Sequence, residues 1–135
     1  HQGGGRFRAH CHGMCGDFLE TFAEIGVDSI EPLERHPTGD VDLAKAKRLV
    51  GDRMMLSGNI HSEHFMNITP EDVREDVRRT IGVGAPGGGF SLRTSGGYAG
   101  TSVDMDEATM VRVLDNIKEY IVAGLEYGQY PIARA

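Results

Sequence analysis

Strand-like and helix-like patterning alternate four times along this chain, and no other feature limits the fold as strongly. The first strand is expected over Arg6 to His12. A helix follows with Phe18, Leu19, Phe22 and Ile25 at the spacing of one helical face, stopped by Gly26. The second strand spans Ser29 to Leu33, and Asp40 reads as the N-cap of a helix carrying Leu43, Ala46, Leu49 and Val50 up to Gly51. The third strand covers Arg53 to Ser57 and ends at Gly58-Asn59. The third helix has the clearest start: Thr69 as cap, Pro70 in the first turn, Glu71 and Asp72 behind it, then the stripe Val73, Val77, Ile81. The fourth strand runs from Gly89 to Arg93. The last helix extends from about Asp106 to Glu126, with Asp104 and Glu107 as a capping pair. Met110, Val113, Leu114, Ile117, Ile121 and Leu125 are its expected buried face.

Alternation of this kind predicts an α/β fold of four βα units around a parallel sheet, joined by right-handed crossovers. The chain has 135 residues, roughly half of the ~250 of an eight-stranded TIM barrel. Half of such a barrel and a small open α/β sheet both satisfy the pattern. One domain over residues 1–135 is expected, since no linker or low-complexity segment divides it; residues 1–5 (HQGGG) read as a disordered start or a truncation point.

Composition excludes several classes of function. A net charge of -6 argues against a nucleic-acid binder, which would carry a basic patch. No apolar run approaches the ~20 residues of a membrane span. The two cysteines form no disulfide framework, so a cytoplasmic location is expected. The Gly84 to Gly89 segment precedes a strand and lacks a Gly-Lys-Ser/Thr ending, which removes a phosphate-loop reading. Met54 and Met55 read as core, and the Glu71 to Arg79 charge run as a solvated helix face.

In a parallel α/β sheet, function gathers at the C-terminal ends of the strands. Five of the six histidines fall there: His10 and His12 after the first strand, His36 after the second, His61 and His64 after the third. Glu31, Asn59, Arg93 and Tyr98 share the same ends. His10, Glu31, Asn59, His61, Arg93 and Tyr98 are therefore the candidate substrate-binding residues. Arg93 offers a two-pronged donor for a carboxylate, or an internal partner for Glu31 or Asp104. His10 and His12, two apart on one strand, point the same way, and with Cys15 they form a candidate metal set; a polar pocket without metal is the alternative.

Five segments resemble, in order, the C-terminal half of the uroporphyrinogen decarboxylase superfamily, which includes corrinoid-linked zinc methyltransferases. They are His10-Cys11-His12-Gly13; Ile30-Glu31-Pro32-Leu33-Glu34 with Gly39-Asp40-Val41-Asp42-Leu43; Gly51-Asp52-Arg53 leading to Leu56-Ser57-Gly58-Asn59-Ile60; Thr69-Pro70-Glu71-Asp72-Val73; and Pro86-Gly87-Gly88-Gly89-Phe90-Ser91-Leu92. The resemblance spans about residues 8 to 125. It implies the C-terminal half of a TIM barrel and a carboxy-lyase acting on the carboxylate arms of a tetrapyrrole in porphyrin biosynthesis. That reaction requires no metal or organic cofactor. The methyltransferase branch implies zinc and a methylated cofactor as substrate. Here His12 stands at that branch's first cysteine, and Ser95-Gly96-Gly97 at its later one. The superfamily's N-terminal catalytic half has no counterpart in this sequence, so autonomous activity is not implied. Two open sheet edges lead to the further expectation of a homo-oligomer.

Overall fold

The computed structural model describes residues 1–96 and 105–132. Tyr98 and Asp104 lie outside them. The elements alternate as expected: β1 Arg8–Cys11, α1 Leu19–Glu24, β2 Ser29–Pro32, α2 Leu43–Val50, β3 Met55–His61, α3 Pro70–Gly84, β4 Phe90–Ser95 and α4 Glu107–Tyr127. Short 3-10 turns at Gly16–Phe18 and Ser62–Met66 follow β1 and β3. The strands form one parallel sheet in the order β1-β2-β3-β4. Among the described residues no helix is long and apolar enough to cross a membrane.

The helices begin where backbone chemistry favours it. Thr69 and Asp72 form a reciprocal capping box at the start of α3, each side chain accepting the other's backbone N–H. Asp106 caps α4 by accepting from the Thr109 N–H. The cap of α2 is Asp42, which accepts from the Lys45 N–H, and not Asp40. Asp40 instead accepts from the Gly16 N–H and ties the turn before α1 to the loop before α2.

One face of the sheet meets the helices. Ile30 and Leu56 join Leu19, Val27, Leu43, Ala46 and Val50 in a first apolar cluster. Ile60 joins Phe65, Val73, Val77, Ile81 and Ala123 in a second. Each such fully buried aliphatic side chain contributes roughly 1.5–3 kcal/mol relative to exposure.

Four expectations from the sequence give way to packing. β3 continues through Gly58 and Asn59 to His61, pairing in register with Leu92, Arg93 and Ser95. Gly58 is not a strand stop: a Cβ there would collide with the Pro32 carbonyl and the Leu33 side chain, so its absence lets β2 approach β3. Leu114, Ile121 and Leu125 of α4 are exposed, as are Phe18 and Ile25 beside α1. The residues that α4 buries are Val113, Asn116 and Ala123. Met54 is core, but Met55 is 40% exposed, because successive strand residues point to opposite faces. The Glu71 to Arg79 run is not wholly solvated: Asp76 holds Arg35 in two 2.6 Å bonds, and Arg74 pairs with Glu119 and Glu126 on α4.

Candidate functional site

Since Ile30 points to the helices, Glu31 points to the opposite face. Its side chain is only 3% exposed, and three nitrogen-bearing side chains converge on it. His10 Nδ1 of β1 lies 3.1 Å from Oε1, Arg8 Nε lies 3.6 Å from the same oxygen, and Arg93 of β4 pairs with Oε2. A buried carboxylate is stable only with such partners. Arg93 is 43% exposed and Arg8 62%, so the cluster is open to solvent on its cationic side.

A second carboxylate sits just past the end of the same strand. Glu34 Oε1 lies 2.9 Å from His12 Nδ1, and Oε2 accepts from the Gly13 N–H at 2.7 Å. Burial would push the Glu34 carboxyl up; the Gly13 N–H, His12 and His61 outweigh it and hold the group below its ordinary range. With their Nδ1 atoms on Glu31 and Glu34, the two imidazoles turn their Nε2 atoms to within 2.9 Å of each other. Glu31, His10, His12 and Glu34 thus form one continuous hydrogen-bonded chain along the rim.

A carboxylate behind each imidazole is the arrangement that orients histidine ligands toward a metal. His10 and His12 fit that role as a pair. Cys15 does not complete it. It is 1% exposed within the apolar cluster of Leu19 and Val27, and burial first, then Cys11, pushes its thiol up to about 11, away from the thiolate that binds metal. Among the described residues, no group of three or more His, Cys, Asp or Glu is placed to hold a metal ion.

His61 lies at the same strand ends but is buried, with its side chain 1% exposed. Its Nδ1 is 2.9 Å from Glu63 Oε1 and 3.4 Å from both Ser95 Oγ and Thr38 Oγ1. Ser95, His61 and Glu63 resemble a nucleophile–base–acid set in composition only. In such a set the hydroxyl and the acid occupy different ring nitrogens, whereas here both meet Nδ1. His64 stacks near His61, with ring centroids 4.9 Å apart.

Asn59 is the register partner of Arg93 but does not join the Glu31 cluster. Its Nδ2 donates to the Leu33 carbonyl at 3.0 Å. It lines a cavity of about 480 Å³ with Arg35, His36, Asp42 and Arg79. The structure therefore gathers His10, Glu31 and Arg93, holds His61 apart with Glu63, Ser95 and Thr38, and turns Asn59 to the Leu33 carbonyl. Sequence reasoning missed Glu34 and Arg8 as site residues. Strand alternation carried no signal for Glu34, which stands three residues beyond Glu31 and past the end of β2.

Fold and site together define a parallel α/β protein with a strand-end cluster of imidazole, carboxylate and guanidinium groups. No family model matches the chain. A uroporphyrinogen decarboxylase from Psychromonas ingrahamii is 34% identical over 74 residues, which are 55% of this chain and 19% of that protein. The matched stretch thus spans about a fifth of that relative's length. The likeness supports a link to the uroporphyrinogen decarboxylase superfamily and reaches no further.

Proposed function

We propose that this chain supplies four βα units of a uroporphyrinogen decarboxylase-like (β/α)8 barrel, with a strand-end site for a tetrapyrrole carrying carboxylate arms. The observation that carries the reading is the Arg93–Glu31–His10 cluster, whose solvent-facing side is cationic. Arg93 and Arg8 hold one internal carboxylate between them and still present N–H groups outward. A substrate carboxylate can share or replace Glu31 as the partner of Arg93. Decarboxylation needs a proton on the pyrrole ring, so that the C–C bond electrons flow into it as CO₂ departs. It then needs a proton delivered to the new methylene carbon and the extra ring proton taken away, so that one proton is consumed in all. The chain from Glu31 through His10 and His12 to Glu34 places proton-bearing nitrogens beside the guanidinium.

Fluorescence titration with an octacarboxylate porphyrin and with its octamethyl ester tests this. The acid is expected to bind and the ester not, with R93Q weakening the acid about tenfold. Equal binding of acid and ester removes the reading.

A second reading, kinship with the zinc-dependent corrinoid methyltransferases, has one observation in its favour: the facing Nε2 atoms of His10 and His12. Since Cys15 does not fit as a ligand, this reading needs a third donor from elsewhere. Zinc that stays bound through dialysis and is lost in H10A and H12A would support it; protein that retains no zinc would remove it.

A further inference from the structure

Two free thiols meet at the end of β1. Cys11 is the last residue of the strand, and Cys15 stands directly before the 3-10 turn at Gly16–Phe18. Between them Gly13 has φ +78°, the left-handed conformation that lets the chain turn back after the strand. Both side chains reach the same apolar cluster: Cys15 is a buried member, and Cys11 packs against it. Cys15 Sγ lies 4.0 Å from the Cys11 carbonyl oxygen, and the Cys11 thiol is close enough to act on it through a hydrogen bond. The two sulfurs are neighbours through the local fold of residues 11–15.

Neither thiol belongs to the Glu31–His10–His12–Glu34 chain. A single buried cysteine would be an ordinary small apolar filler. A pair has further chemistry, because one sulfur can displace a leaving group from the other. The three residues between them are His12, Gly13 and Met14, and two of these hold the rim. His12 Nδ1 lies 2.9 Å from Glu34 Oε1, and the Gly13 N–H donates to Glu34 Oε2 at 2.7 Å. A disulfide needs its sulfurs about 2.05 Å apart, so closing one draws in the loop that carries both contacts.

We propose that Cys11 and Cys15 form a redox modification site, in which a low-molecular-weight disulfide converts them into an intramolecular disulfide that tightens the 12–14 loop and loosens Gly13 from Glu34. Cys11 reacts first, since it is only partly buried whereas Cys15 is 1% exposed. The Cys11 thiolate attacks one sulfur of the oxidant. The oxidant's S–S bond breaks, and its first thiol leaves with the proton that Cys11 gave up. The Cys15 sulfur, already alongside, then attacks the Cys11 sulfur. The mixed S–S bond breaks, the second small thiol leaves with the Cys15 proton, and the Cys11–Cys15 bond forms. Two protein thiols are oxidised, and one small disulfide is reduced to two thiols. This inference stands apart from the porphyrin reading, since it rests on the two sulfurs and the turn between them.

Oxidised glutathione is the probe. The native protein is incubated with it at pH 7.5, quenched in acid and read by mass spectrometry, intact and after trypsin, which releases both cysteines in one peptide, residues 9–35. The expected product has lost two hydrogens within that peptide, and dithiothreitol restores the mass. C15A should stop one step earlier and keep one glutathione on Cys11, because nothing resolves the mixed disulfide. C11S should stay unmodified. In the two-dimensional amide NMR spectrum, oxidation should shift the Gly13 signal and leave Val77 of α3 in place. The wild-type product alone separates resolved from unresolved chemistry, so the test does not depend on how well a variant folds. Wild-type protein that keeps glutathione on Cys11, stays unmodified, or links two chains through Cys11 would overturn the proposal. A disulfide that forms without moving the Gly13 signal would overturn its coupling to Glu34.

Discussion

Arg93 on β4 pairs with Glu31 on β2 across the intervening strand β3. Two strand spacings amount to about 9.5 Å, so the guanidinium reaches Glu31 by lying over β3, on the face away from the helices. This pair therefore ties three strands together as well as forming the site. Removing Arg93 leaves a carboxylate that is 3% exposed with fewer cations around it, whereas removing the charge of Glu31 leaves an arginine that can hydrate. R93Q is expected to cost about 2 kcal/mol and E31Q about 1 kcal/mol, with the double variant no worse than R93Q. Urea unfolding of the four proteins measures this. Strictly additive losses would show that the pair is not coupled.

Asp76 gives the fold an acid-sensitive latch. Burial pushes its carboxyl up, but Arg35 and Arg79 outweigh burial and hold it below the usual range. Glu34 is depressed likewise. A carboxyl whose folded value lies below its unfolded one contributes stability that is complete above the unfolded value of about 4 and is lost as pH falls through the folded value. The urea midpoint should therefore be level near neutrality and drop below about pH 4. D76N should cost about 2 kcal/mol at pH 7 and lose most of that difference under acid. A wild-type midpoint unchanged down to pH 3, or a D76N deficit that grows with acid, would contradict the latch.

The sequence discloses the order of elements because periodicity is a local property. Val73, Val77 and Ile81 sit four residues apart, on one helical face, and are buried for that reason. What lies beyond reach is any feature decided by a neighbour distant in sequence. Gly58 looks like a strand end until the Pro32 carbonyl is seen against it. Asp40 looks like a cap until Gly16 claims its carboxylate. The stripe of Leu114, Ile121 and Leu125 is apolar at helical spacing, yet α3 takes the adjacent face of α4 instead. In the site, the shared rim of histidines is legible from strand ends alone. The role of Glu34 is not, because it arises from His12 and Gly13 more than twenty residues away.

The capping box at α3 offers a test of local structure independent of the site. Thr69 Oγ1 accepts from the Asp72 N–H at 3.2 Å, and Asp72 Oδ2 accepts from the Thr69 N–H at 3.0 Å. T69A removes the first of these bonds and should destabilise the fold by about 1 kcal/mol, while T69S should cost a few tenths. Thermal unfolding of both variants is the measurement. Equal losses in the two would assign the effect to the threonine methyl group and not to the cap.

The two cysteines should differ in reactivity by location. Alkylation needs the thiolate and access to it. Cys15 fails on both counts: it is 1% exposed, and burial, followed by the neighbouring Cys11, pushes its thiol up to about 11. Cys11, at the end of β1, is only partly buried. Treatment of the native protein with a maleimide at pH 7.5 should label Cys11 alone, and mass spectrometry of the digested product will locate the adduct. Cys15 should label only after urea, at a rate set by unfolding. Rapid native labelling of Cys15 would mean that the Leu19–Val27 cluster opens readily. The first βα unit would then be the least stable part of the sheet, and the Glu31 cluster would lose His10 and Arg8 each time it opens.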